Sequence, residues 1–243
     1  MRYLLPTFAL ILAVVWLGLV NPWLLLVPLA LALLAFMGPR WVARRRLASI
    51  MAKGDVRALL RAWRGSVTGL SYPEAAIPLM IATAYASFGW VDEARRARAH
   101  VVAGPALEAS REQLEFVDVL LEIYEGDRDE ALRRAELLVD RPAPVSQKRV
   151  PRRVREVRRG LLAIARAFAH RATDDDRKTL IAVRKPVPIL AWPIRYAEAI
   201  VAIDSGEWAQ ASAMLSDAPV WPENSVFRTF QRELQALVAA RVA

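Results

Sequence analysis

The chain contains no cysteine at all. Disulfide cross-links and cysteine-ligated zinc are therefore excluded, and a reducing compartment suits the composition. Histidine is almost as scarce, with His100 and His170 the two present. Each stands alone, with no second ligand at a metal-binding spacing, and each reads as an ordinary helix residue. No glycine-rich phosphate loop and no nucleophile motif occurs. Alternating apolar and polar runs of the kind that build strands are missing. From Tyr3 to Pro39 there is also no charged side chain.

That uncharged run is the strongest positive signal. As one straight helix it would be ~55 Å long, while a bilayer core is ~30 Å thick. Asn21-Pro22 lies in its middle and favours a turn. The reading is a transmembrane helical hairpin over 1–39, with spans at 3–20 and 23–37. Tyr3, Trp23 and Trp41 stand where interfacial aromatics are expected, and Trp16 is a packing residue. Arg2 precedes the run, and Arg40, Arg44, Arg45 and Arg46 follow it. Positive charge stays inside. The expectation is a multi-pass protein of a bacterial-type inner membrane with its C-terminal domain in the cytoplasm. A cleaved signal peptide would need a much shorter apolar region. A single signal anchor would place the domain outside, against the arginines.

Residues 40–243 have a different composition, rich in Ala, Leu, Arg, Glu and Val. About two hundred residues suffice for one sizeable helical domain. A pattern recurs within it: a helix end, a glycine, an acidic or polar residue, and then an alanine-bearing helix start. It occurs at Gly89 (Tyr85 to Ala94), at Gly126 (Tyr124 to Ala131) and at Gly206 (Asp204 to Ala211), with a looser copy at Gly54. Between Gly126 and Gly206 a degenerate unit is expected, with Leu161–Arg171 followed by the acidic helix start Asp174-Asp175-Asp176. Glycine supplies the left-handed residue that ends a helix, and the acid that follows suits the next helix's N-terminus. Apolar residues then recur at helical spacing, as in Ala131, Ala135, Leu138 and Val139.

These hairpins resemble tetratricopeptide (TPR) repeats. Ala84 to Val101 matches through its aromatic, turn glycine, Glu-Ala pair and small residues. Tyr124 to Pro142 and Ala199 to Pro219 resemble two more. The resemblance implies an all-α fold, a TPR-like α-solenoid of about five helix hairpins. It also implies binding of peptides or protein surfaces, no catalysis and no cofactor. A generic antiparallel helical array is the competing architecture. A membrane anchor followed by helical repeats also resembles, by layout alone, a bacterial membrane protein of late haem biosynthesis, with no residue carried over. The functional expectation is an interaction adaptor that holds another protein at a membrane. An accessory role in a membrane-associated biosynthetic pathway is the alternative.

The formal charge of +9 points to anionic partners. Its densest stretch is Lys148, Arg149, Arg152, Arg153, Arg155, Arg158 and Arg159. A solvated helix face is the plain reading, and anionic lipid or an acidic protein the functional ones. Aromatics for base stacking are missing there, which makes nucleic acid an unlikely partner. Glu112, Glu115, Asp118 and Glu122 fall on one stripe and read as a solvated or partner-facing edge. Trp192 and Trp221 lie beside prolines and are candidate recognition aromatics, with core packing the competing reading.

Overall fold

The computed structural model describes residues 26–65, 72–101, 104, 110–142 and 150–242. They are helical, and among the described residues there is no strand. The described residues form eleven α-helices: α1 (Leu26–Lys53), α2 (Val56–Arg64), α3 (Pro73–Ser87), α4 (Val91–Ala99), α5 (Arg111–Glu125), α6 (Arg128–Asp140), α7 (Val150–Phe168), α8 (Asp174–Arg184), α9 (Ala191–Asp204), α10 (Trp208–Ser216) and α11 (Val226–Val242). A 3-10 turn at Pro188–Leu190 precedes α9. The chain divides into two compact units, Met1–Ser49 and Ile50–Ala243.

In the first unit, the expected second span does not end at the arginines. Helix α1 runs through Gly38 and Pro39 and past Arg45 and Arg46 as far as Lys53. Among the described residues no helix is long and apolar enough to cross a membrane. This overturns the expected multi-pass inner-membrane localisation and the orientation inferred with it. The expected first span, 3–20, lies outside the described residues, as does the turn at Asn21-Pro22.

The second unit is built from paired helices. Each pair meets at a residue in the left-handed region: Gly54 (φ 68°), Gly89 (71°), Gly126 (90°), His170 (54°) and Gly206 (75°). Acids or a hydroxyl then start the following helix. Asp55 accepts from the Ala58 amide, Asp127 from the Glu130 amide, and Thr173 and Asp176 form a reciprocal capping box. Helices α7 and α8 meet at His170, which takes the left-handed conformation that glycine takes at the other turns.

The first helices of successive pairs, α3, α5, α7 and α9, pack side by side, and α9 returns to touch α3. Their buried faces follow helical spacing. Ala75, Leu79, Ala82 and Ala86 form one such stripe on α3, each with no exposed surface. Small residues let these helices approach closely. The second helices, α4, α6 and α8, each bridge to the next pair. On α6 the buried set is Ala131, Leu132, Ala135 and Leu138, while Val139 is only half-buried.

The segment after α10 crosses the C-terminal ends of α3, α5 and α7. Phe227 and Phe230 of α11 pack on Tyr124, Phe230 on Phe168, and Trp221 on Phe88 and Trp192. Ser225 donates to the Phe88 carbonyl at 2.7 Å, and the Val226 amide to the Gly89 carbonyl at 2.8 Å. This part of the core is filled by aromatic rings at the helix ends.

Candidate functional site

The acidic stripe on α5 is covered by the chain's own arginines. Arg158 of α7 meets Glu112, Nε to Oε2 at 3.0 Å. Arg141 Nη2 lies 3.3 Å from Glu115. Arg98 of α4 makes a two-pronged pair with Asp118, with Nη2 to Oδ2 at 2.7 Å. Arg134 of α6 is shared between Glu122 at 2.9 Å, Glu130 at 2.8 Å and Asp118 at 3.8 Å. Arg95 pairs with Glu125 at the stripe's end. The stripe is thus an internal seam joining α4, α5, α6 and α7, not an edge offered to a partner. Its electrostatics are uneven. Burial pushes the Glu122 carboxyl up to about 7 in spite of Arg134. Glu130, held by Arg133 and Arg134, is lowered.

A similar seam joins the later pairs. Arg184 Nη1 lies 2.9 Å from Oε2 of the buried Glu198, and Arg177 pairs with Glu207. Burial raises the Glu198 carboxyl against the pull of Arg184. His170 Nδ1 sits 2.9 Å from Asp204, one hairpin turn facing the next. His100 ends α4. No group of three metal-ligating side chains occurs among the described residues. Asp174, Asp175 and Asp176 fill the first turn of α8, where Asp176 completes the capping box and Asp175 pairs with Lys178.

Of the expected basic patch, the side chains of Arg155, Arg158 and Arg159 are described, and these three do not share one surface. Lys148 and Arg149 lie outside the described residues, and Arg152 and Arg153 are placed only as backbone on α7. Arg155 and Arg159 are exposed. Arg158 points inward and is 2% exposed, with its guanidinium donating to Glu112 and to the Arg141 and Pro142 carbonyls. A guanidinium so enclosed cannot meet an anionic partner. Trp192 and Trp221 are corrected in the same way. Each is 4% exposed, and their rings meet edge to face with centroids 5.2 Å apart. Trp192 donates to the Met51 carbonyl and Trp221 to the Tyr196 hydroxyl. Both are core residues, because aromatic area of this size is buried wherever a partner for the indole N–H is in reach. Near Pro39, Arg45 and Arg46 are exposed, and the Arg45 guanidinium stacks over Trp41 at 3.6 Å. Arg40 and Arg44 are placed as helix backbone only.

Two further surfaces stand out among the described residues. On α1, Leu33, Leu34, Phe36, Met37, Trp41 and Val42 are all more than half exposed. Between α2 and α3 there is a cleft of about 320 Å3 lined by Leu60, Trp63, Arg64, Ile77, Met80 and Ile81. Beside it Arg57, Arg61 and Arg64 are exposed along α2. The sequence reading passed over these arginines, although their spacing of four and three residues marks one helix face.

No family model, no curated protein and no solved structure matches this chain.

Proposed function

We propose that this protein is an interaction adaptor that binds another protein through α1 and displays a rigid, TPR-like array of helix pairs. The carrying observation is the exposed apolar surface of α1. Leu33, Leu34, Phe36, Met37, Trp41 and Val42 differ in position by one, two and four residues, so they spread around the helix axis. A helix apolar on several sides is stable in water only when something covers it. A protein partner supplies such cover. The repeat reading is supported by the left-handed turns at Gly54, Gly89, Gly126, His170 and Gly206 and by the alternation of inner and bridging helices. The function is binding, not catalysis. That reading is supported by the α5 carboxylates, each of which is paired with an arginine of the chain.

A photo-crosslinking amino acid placed at Phe36 or Trp41 in the full chain, activated in living cells, tests this. A discrete adduct with another protein is expected, lost when Met37→Glu is added. Absence of any protein adduct from both positions overturns the reading.

A further inference from the structure

The cleft between α2 and α3 is flanked by a row of arginines unlike the paired ones of the α5 seam. In the rest of the compact unit Arg95, Arg98, Arg134, Arg158, Arg177 and Arg184 each meet a carboxylate within the chain. Arg57, Arg61 and Arg64 do not. Among the described residues no carboxylate pairs with any of them. Asp55 is engaged as the cap of α2, accepting from the Ala58 amide at 2.9 Å, and Glu74 opens α3 without reaching them. The three lie on one face of α2 over a rise of ~10 Å, about two helical turns. The neighbouring face, Leu60 and Trp63, turns into the cleft opposite Ile77, Met80 and Ile81 of α3. These side chains are half-buried. Arg64 belongs to both the basic row and the cleft lining.

We propose that this cleft is the docking site for an acidic amphipathic helix of a partner protein. Its apolar anchors seat between α2 and α3, and its carboxylates pair with Arg57, Arg61 and Arg64. An apolar trough with a basic rim on one side selects that chemistry. Leucine-sized side chains at i, i+3, i+4 and i+7 fill the trough, and methionine adapts to their shape. Carboxylates spaced by three and four residues on the flank match the arginine spacing. Nucleic acid has the charge but nothing to place in the trough. The site rests on the reading of the chain as an interaction protein, but on a different surface from α1.

The test uses the full chain and fluorescein-labelled amphipathic peptides with Leu at those four positions. One version carries Glu along the flank and one carries Lys. Fluorescence anisotropy is expected to show the Glu peptide binding at least about tenfold more tightly than the Lys peptide, a gap of ~1.4 kcal/mol. The gap should narrow as salt rises. The triple change Arg57→Glu, Arg61→Glu, Arg64→Glu is expected to reverse the preference. A circular dichroism spectrum and melting curve like those of the parent establish that the triple variant is folded. Met80→Ala should weaken both peptides. The proposal falls if the Glu peptide binds no better than the Lys peptide, or if the triple variant keeps the original preference. It also falls if duplex DNA competes as well as the Glu peptide does. Failure here with a positive crosslink at Phe36 removes this site alone and leaves the adaptor reading standing.

Discussion

The indole N–H of Trp192 donates to the main-chain carbonyl of Met51, 2.6 Å away and 141 positions earlier in the chain. Its neighbour Trp221 packs against Gly54, where an added Cβ would come within 2.8 Å of the ring. The first hairpin turn of the compact unit is thus held by residues near the end of the chain. Together with the return of α9 to α3, this closes the array on itself. Repeats joined only to their neighbours would unfold piecewise. A closed set is expected to unfold as one unit.

Trp192→Phe tests that closure. The ring volume is nearly kept, while the buried Met51 carbonyl loses its donor. A loss of about 1–3 kcal/mol is expected in urea unfolding, with a single transition by both circular dichroism and fluorescence. Two separated transitions in the unmodified protein would refute the closed arrangement.

The left-handed turns can be ranked. At Gly126 an added Cβ meets nothing within 4 Å, so Gly126→Ala carries only the backbone penalty, about 1–2 kcal/mol. At Gly89 the same Cβ would lie 3.0 Å from Phe227, Ser225 and Val226. Gly89→Ala must also displace the start of α11, so it is expected to lower the melting temperature clearly further than Gly126→Ala. Equal shifts would mean that the seating of α11 is wrong.

The turns were legible in the sequence because glycine followed by an acid and an alanine is a local signal. His170 was not, since a left-handed histidine carries no composition mark. Its position shows only once the Arg171 amide is seen to reach back to the Arg166 carbonyl. The α5 carboxylates were visible as a stripe, but their arginines come from three other elements, and tertiary pairing leaves no trace in local spacing. Trp192 and Trp221 were ambiguous for the same reason. Prolines beside them suggested loops, while their indole partners, Met51 and Tyr196, lie far away in sequence.

Glu122 gives the seam a pH dependence of defined sign. Its carboxyl titrates at about 7 in the folded chain, against 4.5 for an unperturbed glutamate. The folded state therefore holds a proton that the unfolded state has released. The contribution of Glu122 to stability is full below pH 4.5 and is lost as pH rises toward 7. Glu130 is lowered by its arginines and acts in the opposite direction, so the total curve does not isolate Glu122. The difference between the parent and Glu122→Gln does. The variant is expected to gain on the order of 1 kcal/mol relative to the parent between pH 5 and 8, with water at the seam's edge limiting the gain. A difference that is flat across this range would show that Glu122 is charged in the folded protein.

The basic stretch on α7 offers a test in which neighbouring arginines should behave in opposite ways. Arg155 and Arg159 are exposed, and replacing either with alanine should change stability by less than about 0.5 kcal/mol. Arg158 sits between them in number but is turned ~60–100° around the helix from them, enclosed by Glu112 and the carbonyls of Arg141 and Pro142. Arg158→Ala leaves a carboxylate and two main-chain acceptors without their donor. A loss of about 1–3 kcal/mol is expected, because the Glu112 side chain is 34% exposed and water can take up its charge. Adding Glu112→Leu to that variant removes the stranded charge and should recover part of the loss. If Arg158→Ala is as mild as its neighbours, the guanidinium faces solvent and the stretch is one continuous basic surface after all.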